Sequence, residues 1–174
     1  MPNPAERQKS GQRSCQKSGQ KSGKTLRQKL LFRFINFWPP YLGAGIRVGA
    51  LSDDHRSIEV EMNLTPWNRN YVGTQFGGSL YAMCDPFFML ILMENLGSDY
   101  IVWDKEARIR FKKPGRGRVR ARFQVTQDEI ESIRERLKTE RKVEPEFQAS
   151  VVDDEGTLIA EVSKLLYVRK KDAR

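Results

Sequence analysis

The spacing of polar and apolar residues changes several times along this chain, and each spacing predicts an element. In residues 57–64, Ile58, Val60, Met62 and Leu64 alternate with Ser57, Glu59, Glu61 and Asn63, the pattern of a strand with one buried face. A preceding strand at 45–51 is joined to it through the turn-like Ser52-Asp53-Asp54-His55. Ala107, Ile109 and Phe111 alternate with Arg108, Arg110 and Lys112. After Pro114-Gly115-Arg116-Gly117, Val119, Ala121 and Phe123 alternate with Arg118, Arg120 and Arg122. Two more strands, about 146–152 and 158–168, flank the Asp153-Asp154-Glu155-Gly156 turn. Thr126 and Glu129 form a capping box for a helix carrying Ile130, Ile133 and Leu137 on one side. The run from Gly77 to Leu96 is apolar on nearly every side and stops at Gly97. A helix with no polar face must be enclosed by the rest of the fold. The predicted fold class is therefore α+β: an antiparallel sheet of about six strands wrapped around a long central apolar helix.

The first residues break this pattern. Residues 1–24 repeat QKSG and KSGK with almost nothing to bury, which reads as a disordered basic tail. Leu26, Leu30, Leu31, Phe34 and Phe37 then fall at helical spacing before Trp38-Pro39-Pro40 stops the helix. The predicted organisation is a tail at 1–24 and one domain at 25–170 that begins with this amphipathic helix. The formal charge is +9, but residues 1–33 carry +8 of it and the remainder +1. A nucleic-acid role is thus excluded for the folded domain. Cys15 and Cys84 supply neither a disulfide framework nor metal-ligand spacing, so a reducing, cytoplasmic setting and no metal are expected. The longest apolar stretch, Phe87 to Met93, is far short of the ~20 residues a membrane span needs.

Candidate chemistry concentrates between Asn70 and Pro86. The pair Gly77-Gly78 opens the apolar helix, where free backbone N–H groups favour developing negative charge and a ligand can approach closely. Asp85 lies seven residues on, and a carboxylate inside an apolar helix is costly unless paired or used. The combination points to acyl transfer, with amide donors for an oxyanion and a carboxylate as base or nucleophile. A structural alternative stands beside it: Asp85-Pro86 is also a common helix start, Asp capping and Pro following. Cys84 has no histidine near it in the sequence and reads as a buried structural thiol. His55 sits in a turn and reads as solvated.

These residues resemble the hotdog-fold thioesterase superfamily, in particular its phenylacetyl-CoA-type acyl-CoA thioesterases, whose motif runs Asn-x-x-Gly, His-Gly-Gly, six residues, Asp. Asn70 and Gly73 match the first pair, Gly77 and Gly78 the glycines, and Asp85 the acid. FWPPYLGAGIRV and WNRNYVGTQFGGSLYAMCDPFF resemble more closely an uncharacterised bacterial hotdog family known only as a domain of unknown function. ARIRFKKPGRGRVRARF resembles the superfamily's strand–Pro–Gly–strand hairpin. The resemblance covers roughly residues 26–169. It implies an acyl-CoA or acyl-carrier thioester hydrolase with catalytic Asp85, Gly77 and Gly78, and with Asn70, Gly73, Gln75 and Phe76 against the substrate. It implies no cofactor beyond the coenzyme A of the substrate itself. The chain departs from the motif at Phe76, where the histidine belongs, and Gln75 before it orients a group by hydrogen bonding but carries no proton.

Spacing adds a partner. Seven helical residues span about 10.5 Å, too far for one helix to bring Gly78 and Asp85 to a single carbonyl. Two antiparallel helices related by a two-fold axis solve this, so a homodimer, or a dimer of dimers, is expected. The arginines of the two basic strands, expected on one face of a hairpin, read either as a solvated face paired with acids such as Glu59 and Glu61, or as a cradle for phosphates. The alternative to a hydrolase is a non-catalytic acyl-CoA or lipid-binding module that kept the fold and lost the histidine.

Overall fold

The computed structural model describes residues 34–172; the basic tail and most of the expected first amphipathic helix lie outside the described residues. Phe34 and Ile35 are helical, and Trp38-Pro39-Pro40 does more than stop that helix. Trp38 is the extended cap of a new helix, α1 (Pro39–Ala44), because proline at the first helical positions has its φ preset and needs no amide partner. Gly45, at φ +73, ends it.

Six strands follow: β1 (Ile46–Leu51), β2 (Ser57–Met62), β3 (Tyr100–Phe111), β4 (Val119–Gln124), β5 (Glu146–Asp153) and β6 (Leu158–Lys170). They form one antiparallel sheet in the order β1-β2-β4-β5-β6-β3. Alternation decides its faces: Ile58, Val60, Met62, Val119, Ala121 and Phe123 are all buried on the inner side. The two basic strands are not a hairpin. β4 pairs with β2 and β5, whereas β3 lies at the far edge against β6. The Pro114 segment is therefore a crossing between non-neighbours. The arginines still share the outer face, where Arg118 meets Asp154 at 2.9 Å and Lys112 meets Glu161 at 2.8 Å, the paired, solvated reading.

β3 carries a bulge. Asp104 lies opposite Leu166 and Glu106 opposite the adjacent Leu165, so Lys105 is an extra residue. The bulge resets the phase, and Asp104 faces inward together with Ala107, Ile109 and Phe111.

The central apolar run is helical in two segments, α2 (Gly77–Ala82) and α3 (Phe87–Leu96). Pro86 has no N–H to give, and the chain tightens ahead of it, with Cys84 N–H donating to Tyr81 at 2.8 Å and Asp85 N–H to Ala82 at 3.3 Å. Phe87 and Phe88 follow the break and lock into the sheet, with rings 5.0 Å from Phe123 and Phe147 respectively. The capping box at Thr126 and Glu129 starts α4 (Gln127–Arg136), whose Ile130 and Ile133 are buried. Among the described residues no helix is long and apolar enough to cross a membrane.

The expectation for His55 fails. It is only 8% exposed, its Nδ1 3.6 Å from Glu94 and its carbonyl accepting from Asn95. The β1–β2 turn packs on the end of α3, which buries a residue that turn chemistry alone leaves outside.

Candidate active site

The loop ahead of α2 is built around Asn70. Its Oδ1 accepts the amides of Val72 (3.1 Å) and Thr74 (3.0 Å), and its Nδ2 donates to Thr74 Oγ1 (2.9 Å) and the Gln75 carbonyl (3.3 Å). Gly73 closes the turn at φ +79, a conformation that disfavours any side chain. Gln75 is 3% exposed and acts as a staple: Nε2 donates to the carbonyls of Met62 (3.3 Å) and Gly117 (2.9 Å), and its own amide donates to Gly115 (2.9 Å). The side-chain amide of Asn70 and the Nε2 of Gln75 are thus engaged by the protein itself, while Gln75 Oε1 is buried without a partner among the described residues.

Phe76 is the extended cap of α2, with no side chain capping the helix. The first intrahelical bond is Leu80 N–H to the Phe76 carbonyl, so the amides at the helix start need partners from elsewhere. Two exposed rings lie over the glycines. A Cβ at position 77 would lie 3.1 Å from Phe111 Cζ, and one at position 78 only 2.5 Å from Phe76 Cε1. An open cleft of about 370 Å³ adjoins this end of the helix, lined by Asn70, Gln75, Gly77, Phe111 and Lys113 among others.

Asp85 does not line that cleft. It sits at the break between α2 and α3, where Pro86, not Asp85, holds the cap position of α3 and no side chain caps it. Its Oδ1 accepts from Tyr81 Oη at 2.9 Å and from Lys164 Nζ at 3.0 Å. Neither donor reaches Oδ2, and the side chain is 51% exposed. Lys164 is fully buried, 2.9 Å from Asp104 Oδ2 on its other side. Burial pulls the lysine's pKa down, but the two carboxylates outweigh it and hold the group above its ordinary value. Burial raises Asp104 despite the neighbouring ammonium, and raises Tyr81, helped by its bond to Asp85. Desolvation pushes the Cys84 thiol to about 12, which leaves it an inert core residue.

The motif therefore separates into two places: Asn70, Gly73, Gln75, Phe76 and the glycines at one, Asp85 at the other. Sequence reading missed Lys164, Asp104 and Tyr81. The signal for Lys164 was its phase, since on β6 it falls in the inward row with Ala160, Val162, Leu166 and Val168.

Residues 27–168 match the family model described as Domain of unknown function (DUF4442). The chain belongs to this family. No curated protein matches it. Among solved structures, this DUF4442 chain is similar to a Pseudomonas aeruginosa protein of unknown function described as a probable thioesterase, with TM-score 0.72 and 19% identity over 82% of this chain and 96% of that one. It is also similar to a Haemophilus influenzae thioesterase, with TM-score 0.61 and 18% identity over 86% and 94% of the two chains. A mutant of the phenylacetic acid degradation protein from Thermus thermophilus gives TM-score 0.53 and 23% identity over 75% and 98%. At these identities the likeness shows the fold, the hotdog arrangement of a curved sheet around a central helix.

Proposed function

We propose that this DUF4442 chain is an acyl-thioester hydrolase acting on acyl-CoA or an acyl carrier as a cytoplasmic homodimer. Asp85 serves as general base or nucleophile, and backbone amides near Gly77 and Gly78 receive the oxyanion. With Asp85 as base, it takes a proton from the water that attacks the thioester carbon. The C–S bond then breaks, and the proton leaves with the thiol. The observation that carries this reading is the state of Asp85: a half-exposed carboxylate at a helix break, not used as a cap, with one oxygen held and the other left to a water or a carbonyl.

The second chain is supported by β3. It is a twelve-residue edge strand whose inward-phase Ala107 and Phe111 remain exposed, as expected where a sheet continues into a partner. The glycine end of one protomer would then face Asp85 of the other. Asn70, Gly73 and Gln75 shape the loop that presents the glycine amides, and Phe76 contacts the acyl group.

The internal engagement of Gln75, together with Phe76 in place of a histidine, favours a second reading, a binding module without turnover. Thiol release across a panel of acyl-CoA chain lengths separates the two, since both bind and only one consumes. Asp85→Asn should lower turnover by at least ~100-fold while the chain stays folded. Undiminished turnover would end the catalytic role.

A further inference from the structure

We propose that Lys164 is the positioning residue of this site and that Asp104 is its anchor; the proposal rests on the hydrolase reading. The ammonium's three donors meet three acceptors: Asp104 Oδ2 at 2.9 Å, Asp85 Oδ1 at 3.0 Å and Tyr81 Oη at 3.3 Å. The Tyr81 hydroxyl in turn donates to Asp85 Oδ1 at 2.9 Å, which closes a triangle of hydrogen bonds. Asp85 Oδ1 is therefore gripped from two directions, and the carboxylate's rotation is fixed with Oδ2 toward the open side. The Tyr81 ring packs 5.4 Å from the same ammonium and restricts it further.

Stability does not explain this lysine. The neighbouring inward positions on β6, Val162 and Leu166, are apolar and buried, and a fully buried ammonium, even when paired, is seldom better than a well-packed apolar side chain. Asp104 is held at a cost as well, with Oδ1 buried and without a partner among the described residues. Both costs fall where the half-exposed carboxylate needs a fixed orientation. One cation between two carboxylates also leaves the cluster with one net negative charge, and of the two carboxylates Asp85 is the more exposed.

The test has a substrate-free arm and a kinetic arm. Crystal structures of the wild type and Lys164→Met should show the Asp85 side chain leaving its single orientation while α2 and α3 stay in place. An unmoved Asp85 would overturn the proposal. In thiol-release assays, Lys164→Met should cut kcat at least ~10-fold with KM little changed. Added to Asp85→Asn, it should cost nothing further, because it acts only through that carboxylate. Losses that multiply would mark a merely structural role and also overturn the proposal. If Lys164→Met strands Asp104 and fails to fold, Lys164→Met with Asp104→Leu removes the pair together and carries the same expectations. If the wild type turns over no thioester, the hydrolase reading falls, and the crystallographic arm alone decides whether Lys164 orients Asp85.

Discussion

A site shared between two chains makes a quantitative demand on a mixed dimer. One chain carries Asp85→Asn and the other Gly77→Pro. Position 77 is the first residue of α2, where proline's fixed φ belongs, and Phe76 before it is already extended at φ −70° and ψ 128°. The substitution deletes a free amide without removing a bond of the helix. Its Cβ meets Phe111 Cζ at 3.1 Å, the far end of an exposed side chain that has room to swing aside. Each homodimer should be inactive, since every site lacks either the base or a donor. In the mixed dimer one site takes both lesions and the other takes neither. A purified heterodimer, isolated through a different tag on each chain, should give about half the wild-type thiol release per dimer. Unsorted co-expression should give about a quarter per dimer, because only half of randomly paired dimers are mixed. If one chain supplied both groups, each site would carry one lesion and nothing would recover. A folded heterodimer no faster than its parents refutes the shared site.

Two further expectations concern the scaffold. The Cys84 thiol, with pKa raised from 9.0 to about 12, keeps its proton in the folded chain at pH values where the unfolded chain has lost it. Its contribution is complete below pH 9 and is lost as pH climbs toward 12, by on the order of 4 kcal/mol at most. Tyr41, Tyr81 and Lys164 are raised as well and act with the same sign. Urea unfolding between pH 8 and 12 should show a shallower decline for Cys84→Ala, and an equal slope would contradict the assignment. Gln75→Ala strands the Met62 and Gly117 carbonyls and should cost about 1–3 kcal/mol in a denaturant melt. A neutral result would show that Gln75 is not a staple.

Much of the architecture was legible because it rests on local periodicity. β2 and β4 show strict alternation, and the capping box at Thr126 fixes the start of α4. What stayed hidden depends on tertiary pairing. Nothing local to ARIRFKKPGRGRVRARF says that its two strands part, because β5 and β6, which begin only at Glu146 and Leu158, enter between them. The break at Asp85-Pro86 was one of two readings of the same dipeptide, and only the lysine from β6 shows why the carboxylate turns away from the helix end. The burial of His55 is hidden for the same reason, since its cover comes from the end of α3.

The bulge at Lys105 has a consequence for how this chain tolerates changes of length. Val102 and Asp104 occupy even positions, whereas Ala107, Ile109 and Phe111 occupy odd ones, yet all lie on one side of β3. A residue lost between Asp104 and Ala107 would straighten the strand and leave both sets where they are. A residue lost from 108 to 110 would turn Phe111 to the opposite side and uncover Gly77. Within this stretch of β3, single-residue deletions should therefore accumulate at the bulge and be purged beyond it, and a deletion scan of the gene would map that boundary codon by codon.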